Sequence, residues 1–260
     1  VYRKGIKMKI IIAPAKIMKI DRDSFPVQSK PEFLTKTRIL EHFFYFLTKE
    51  QLDTLWHASQ KVTEQGILQL KNMDLDDRLT PAILAFSGIQ YQYMAPDIFT
   101  QPALDYIQKN LRILSGFYGI LRPFDGVCPY RLELNTKMIG FRDYSLYHFW
   151  GDDIANSLFK EDDTVINLAS KQYMRLIKPY LNEKRRMITI DFQELKNGEW
   201  KTVGVHAKMA RGEMVRFMAE NQIKNPADLR DFHDFEFQFE PEVSSDDHYI
   251  FRTAFDFSQR

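Results

Sequence analysis

Six cations stand out by their neighbours as much as by their charge. Arg122 precedes Pro123 and Arg131 follows Tyr130, both within Leu114–Leu134, LSGFYGILRPFDGVCPYRLEL. Lys208, Arg211 and Arg216 recur along His206–Asn221, HAKMARGEMVRFMAEN, and Lys16 closes the stretch Ala13-Pro14-Ala15-Lys16 just beyond an apolar run. A guanidinium pinned beside a rigid residue loses little freedom on binding, and its planar fork fits phosphate or carboxylate. Met209, Met214, Phe217 and Met218 interleave with the second group, so a buried face would hold those cations on a constrained ridge. Phosphate contact is the chemistry this set predicts. If Gly212 stands near a helix N-terminus, the helix dipole adds to it.

Groups able to move protons lie among the same motifs. Glu133 follows Arg131 by two residues, Asp152 lies in LYHFWGDDI, and Tyr173 follows VINLAS, where α/β proteins place ligand contacts beyond the carboxyl end of a strand. Glu133 has an ordinary role as a salt-bridge partner, and one of Asp152 and Asp153 as a helix cap. With the arginines, Glu133, Asp152 and Tyr173 also form the inventory of an acid/base cleft acting on a nucleotide or a nucleic-acid base, the alternative reading. Cys128, between Val127 and Pro129, reads as a packed residue rather than a redox sensor, which needs an exposed thiolate. The six histidines are scattered without ligand spacing, so no metal site and no cofactor is expected; only the acidic stretch around His233 and His248 leaves room for weak metal binding.

These side chains need elements to hold them. Lys9–Ala13 predicts a buried first strand, Phe33–Phe46 a helix, and Lys49–Gln65 a second helix opened by a Thr48/Gln51 capping box. Pro81–Phe86 is open between helix and strand, and Gln101–Asn110 predicts a helix leading into Leu111–Leu114. Val165–Leu168 and Met187–Phe192 read as strands, with Asn197-Gly198 as a hairpin turn toward Trp200–His206. Within Leu114–Leu134, the density of Gly and Pro excludes a regular helix or strand interior. Gly116 and Gly119 give it the outline of a helix-hairpin-helix, whose turn amides meet a DNA phosphate without reading sequence. A helix C-cap followed by a tight turn is the competing reading.

Composition sets wider bounds. A chain of 260 residues, 44% hydrophobic and 27% charged, suits a soluble globular protein with a full core, and no run is long and apolar enough to span a membrane. Ile10–Ala13 is too short for a signal peptide, and with Met8 as the start, Val1–Lys7 would be an upstream remnant. A single cysteine excludes an internal disulfide framework and suits a reducing cytoplasm. The net charge of +1 conceals eight acidic residues against Arg230 alone between Asp228 and Asp247, which leaves the remainder basic. That asymmetry is compatible with a polyanionic partner, and also with an acidic segment covering basic surface.

In order and spacing, APAK, AFSG followed by Tyr91, LSGFYGILRP, PYRLE, LYHFWGD, VINLAS with Tyr173, and AKMARGEMVRF with Asn221 resemble the YaaA family of bacterial peroxide stress proteins, from Met8 to about Phe239. The resemblance implies a mixed α/β fold in a single compact domain over residues 8–240, with a mixed sheet, surrounding helices, a basic cleft and a helix-hairpin-helix-like element. Residues 241–260 would be a C-terminal tail. It further implies a cytoplasmic protein that binds duplex or branched DNA without sequence preference and limits intracellular iron and oxidative damage under hydrogen peroxide. No catalytic activity comes firmly with it. Carried over residue by residue, the hairpin falls on Leu114–Pro123 and the cleft on Lys16, Arg122, Arg131, Lys208, Arg211 and Arg216. Two departures are visible: Ala13 stands where the family has serine, and Ile89-Gln90 where it has an Asp-Val pair. Any chemistry done there elsewhere in the family would be missing here.

Overall fold

Ile10, Ile11 and Ile12 are sealed from solvent on both faces, as an interior parallel strand requires. A computed structural model describes residues 8–160 and 162–259, so the expectation for Val1–Lys7 lies outside the described residues. The chain runs β1 (Met8–Ile12), β2 (Ile17–Met18), α1 (Leu34–Tyr45), α2 (Lys49–Trp56), α3 (Gln60–Lys71), β3 (Thr80–Pro81), α4 (Ala82–Ala85), β4 (Phe86–Ser87), α5 (Ile89–Met94), α6 (Gln101–Asn110) and β5 (Leu111–Ser115). It continues through β6 (Gly119–Leu121), β7 (Gly126–Val127), α7 (Leu146–Trp150), α8 (Asp153–Leu158), β8 (Thr164–Asn167), α9 (Lys171–Met174), β9 (Arg186–Lys196), β10 (Glu199–Lys201), α10 (Gly204–Glu220), β11 (Gln238–Phe239) and β12 (His248–Thr253).

Eight strands form a mixed sheet in the order β11-β12-β9-β8-β1-β5-β6, with β10 paired to β9. The pairs β1–β5, β1–β8, β8–β9 and β9–β12 are parallel, and β5–β6, β9–β10 and β11–β12 antiparallel. Helix α6 packs on β1 and β5, and α10 packs on α5, α6 and β9. The mixed α/β expectation holds. So do the Asn197-Gly198 turn, where both residues take positive φ, and the capping box of α2. There the Thr48 hydroxyl accepts the Gln51 amide at 3.3 Å while the Gln51 side chain accepts the Thr48 amide at 2.8 Å. Thr48→Ala is expected to lower the unfolding free energy by about 1 kcal/mol in a urea titration, with the m-value unchanged.

Four expectations need correction. Leu114–Pro123 is not a turn between helices: β5 and β6 form a β-hairpin in which Ser115 pairs with Gly119. Apolar residues on both flanks bury both faces, and short runs of that kind do not distinguish strand from helix by period. The turn amides of Phe117 and Tyr118 are taken by the Ser115 hydroxyl at 3.2 and 2.8 Å, and the Gly116 carbonyl accepts Trp150 Nε1 at 3.0 Å. Gly119 has φ +74, and a Cβ on it would lie 2.8 Å from the Trp150 ring. Gly119 therefore admits an indole and Gly116 the close passage of the Leu132–Leu134 backbone, and the hairpin turn is interior rather than open to a phosphate.

Next, Lys49–Gln65 divides into α2 and α3, because His57 takes a left-handed conformation that ends the first helix. Third, the segment expected as a C-terminal tail, 241–260, carries β12, which runs parallel to β9 and buries Tyr249, Ile250 and Phe251. Fourth, Gly212 lies in the middle of α10, far from its N-terminus, so no helix-end anion site forms there.

Candidate functional site

In an open parallel sheet, ligands gather beyond the carboxyl ends of two neighbouring strands whose following connections leave in opposite directions. Here the chain passes from β1 to β5 on one side and from β8 to β9 on the other, while β1 and β8 are neighbours. The segments leaving those two strands, through Ala13–Ile17 and through Ser170, Gln172 and Tyr173, line a cavity of about 520 Å³. Its remaining walls come from Ser87–Tyr91, Tyr130–Glu133 and two residues of α10, Lys208 and Arg211.

Local packing fixes each wall. Tyr91 donates its hydroxyl to the Ala13 carbonyl at 2.9 Å, tying α5 to the end of β1. Tyr130 stacks on Phe117 with ring centroids 5.0 Å apart and shares a 2.7 Å hydrogen bond with Ser115, so the buried hairpin is the platform under Arg131 and Glu133. The Asn167 side chain accepts the Ala169 amide at 3.0 Å, which turns the chain at the end of β8. Helix α10 approaches α5 so closely that a Cβ on Gly212 would lie 2.3 Å from the Gln90 carbonyl oxygen. That approach brings Lys208 and Arg211 to the cavity beside Gln90.

Six of the expected residues converge on this cavity: Lys16, Arg131, Glu133, Tyr173, Lys208 and Arg211. Lys16 pairs with Glu133 at 2.8 Å, while among the described residues Arg131, Lys208 and Arg211 have no carboxylate within ion-pair distance. Burial pushes the Arg211 guanidinium down, with Asp191 acting in the opposite sense. Burial also pushes the Tyr91 and Tyr173 hydroxyls up, so both stay protonated; Tyr91 already donates to the Ala13 carbonyl, and Tyr173 can donate to a ligand.

The other five expected residues lie elsewhere. Gly116 and Gly119 are inside the hairpin. Arg122 binds Asp125 at 3.1 Å and the Lys30 carbonyl at 3.0 Å. Asp152 occupies the N-cap position of α8 without a capping bond and accepts from the Asn156 amide at 2.9 Å. Arg216 is paired with Glu220 at 2.9 Å. Arg122 and Arg216 are thus satisfied by the protein, outside the cavity. Gln90 lines the cavity although the sequence marks it only as half of the Ile89-Gln90 departure and not as a site residue; the departure itself was the available signal.

A separate hollow of about 490 Å³ beside α3 is lined by Arg22, Asp74, Asp77, Arg78 and Cys128 and gathers none of the expected residues. Cys128 is buried, and its amide donates to the Tyr118 hydroxyl at 3.1 Å. Burial pushes its thiol from 9.0 up to about 11. A pKa raised by folding favours the native state fully below pH 9, and that contribution is lost as the pH rises through about 11. Alkylation of native Cys128 by iodoacetamide at pH 8, followed by mass spectrometry, is expected to run about 100-fold slower than in the urea-unfolded chain.

Fold and cavity together define a mixed α/β protein with a cation-rich pocket at the switch point of its sheet. Residues 8–243 match the family described as Peroxide stress protein YaaA. A UPF0246 protein of Lactobacillus acidophilus is 85% identical over 252 residues, covering 97% of this chain and 100% of that one. UPF0246 proteins of Lactobacillus johnsonii and Agathobacter rectalis are 55% and 46% identical, each over 94% of this chain and 97% and 98% of theirs. The chain belongs to the YaaA family of peroxide stress proteins. Among the described residues, no helix is long and apolar enough to cross a membrane, and no cluster of His, Cys, Asp and Glu is arranged to hold a metal ion.

Proposed function

We propose that the cavity at the ends of β1 and β8 binds the phosphates of DNA, and that the chain acts in the peroxide response as a cytoplasmic DNA-binding protein without sequence preference. The same role includes limiting intracellular iron and oxidative damage. The observation that carries this reading is the convergence of Arg131, Lys208 and Arg211 without acidic partners, beside a Glu133 already matched by Lys16. Three cations with no carboxylate at ion-pair distance favour an anionic ligand. Three phosphate contacts on B-DNA give a log–log dependence of affinity on salt with a slope of about −2.7. Fluorescence anisotropy with a labelled duplex between 50 and 200 mM salt measures it, and a slope near zero ends the proposal.

A second reading has its own support. The Lys16–Glu133 pair and Tyr173 share the cavity, as an enzyme acting on a nucleotide or base would require, with Glu133 as general base. Product formed from a nucleotide mixture by the wild type, and lost in Glu133→Gln with binding retained, would establish that activity. Absence of product from the wild type would remove it.

A further inference from the structure

Buried polar groups are nearly always hydrogen-bonded, and one left free beside a cavity needs an explanation. Tyr173 is only 7% exposed, yet its hydroxyl has no hydrogen-bond partner among the described residues. Four side-chain polar atoms among those residues are both sealed from solvent and unbonded: Trp56 Nε1, Thr63 Oγ1, Gln90 Nε2 and Arg211 Nε. The Tyr173 hydroxyl is not one of them, so it opens into the cavity that Tyr173 lines. Nη1 and Nη2 of Arg211 also lack a partner without being sealed, so this half-buried guanidinium keeps Nε in the wall and presents its two terminal nitrogens to the same space. Ser170, at the N-cap position of α9, makes no capping bond and adds a third free group. Glu133, the carboxylate of the lining, is held by Lys16. Each of the three free groups can donate, and none is an anion.

We infer that the cavity seats the terminal phosphate of a DNA strand, with Tyr173, Arg211 and Ser170 donating to its oxygens and Arg131 and Lys208 holding the phosphates that follow. The inference rests on the DNA reading above and specifies which phosphate enters. A volume of about 520 Å³ suits one small ligand, so a duplex can lie only across the mouth, whereas the end of a strand can pass inside. An internal phosphodiester carries a single charge and has chain leaving on both sides. A terminal phosphomonoester carries a charge of about −1.5 to −2 and three strong acceptor oxygens, and chain leaves it on one side only. A guanidinium fork joined by hydroxyl donors suits that richer set of acceptors. Because Arg211 is half-buried, its attraction for the added charge is less screened than that of a surface cation.

Duplexes of equal length test this at one salt concentration, each with a short 5′ or 3′ single-stranded overhang that ends in either a hydroxyl or a phosphate. For at least one polarity, the phosphate end should bind about tenfold more tightly than the hydroxyl end, which also tells the 5′ from the 3′ terminus. An excess of a deoxynucleoside monophosphate should bring the phosphate-ended duplex down to the hydroxyl-ended level. Tyr173→Phe removes a hydroxyl that has no partner in the protein, so Tm should hold while the phosphate-over-hydroxyl ratio falls by about fivefold. The variant changes no charge, so that fall cannot come from the general attraction of the added phosphate. A ratio of one in the wild type, which needs no variant to measure, overturns the inference, as does a ratio that Tyr173→Phe leaves intact. Equal, salt-dependent binding of all ends spares the DNA reading, whereas a monophosphate that binds where no duplex does overturns both.

Discussion

Gly212→Ala is expected to destabilise the protein by about 3 kcal/mol and to take DNA binding with it. In an exposed helix interior the same change stabilises by about 1 kcal/mol, because alanine is the better helix former. Here the added methyl would meet the Gln90 carbonyl oxygen at 2.3 Å, the Met94 amide nitrogen at 2.9 Å and Tyr93 Cβ at 3.0 Å. Two of those atoms are backbone and cannot swing aside, so α5 and α10 must part. Overpacking of this kind costs typically 1–3 kcal/mol, and a clash with backbone belongs at the top of that range. Steric cost outweighs helix propensity. Urea unfolding should show a lower midpoint with an unchanged m-value, and anisotropy should show weaker binding, since Lys208 and Arg211 move with the helix. A midpoint raised by alanine would mean that the two helices are spaced more widely.

Replacing Arg131 and Lys208 together by alanine has the second large effect. Each phosphate contact contributes about −0.9 to the log–log salt slope on B-DNA, so losing two should make it shallower by about 1.8. Affinity at 50 mM salt should fall at least about tenfold, since hydrogen bonds to charged groups contribute about 1.5–3 kcal/mol each. The matched control is the double variant Arg122→Ala and Arg216→Ala. Both of those cations are ion-paired outside the cavity, to Asp125 and Glu220, so their removal should leave the slope unchanged. If the control flattens the slope and the cavity variant does not, the binding surface is the outer ridge.

The two sets of arginines also show how far the sequence reaches. Lys208 and Arg211 are three apart and share a helix face, whereas Arg211 and Arg216 are five apart and point to different sides. Once a helix is assigned to that stretch, spacing alone separates them. The apolar run of β1, the spacing of α1, the Thr48 capping box and the Asn197-Gly198 turn were equally legible, because each depends on neighbours in the chain. The hairpin was not. Whether Gly116 and Gly119 serve a phosphate or an indole depends on Trp150, more than thirty residues away. Gln90 was half hidden for a related reason: the Ile89-Gln90 departure marks the position, but an amide without a partner is a property of its surroundings and leaves no mark in residue type. The role of residues 248–253 was masked by the acidic stretch before them, which reads as solvated while the strand beyond it is buried.

The placing of β12 bears on how the protein is made. It pairs with β9 over Thr189–Glu194, yet each of its residues emerges from the ribosome 59 residues after its partner. At about 5–20 residues per second, β9 waits roughly 3–12 s with that edge open. An open strand edge is a template for pairing with other chains. Crowded polysomes, where many copies reach this stage together, are therefore where the protein is most exposed to misassembly, and where a chaperone holding residues 186–196 would matter most.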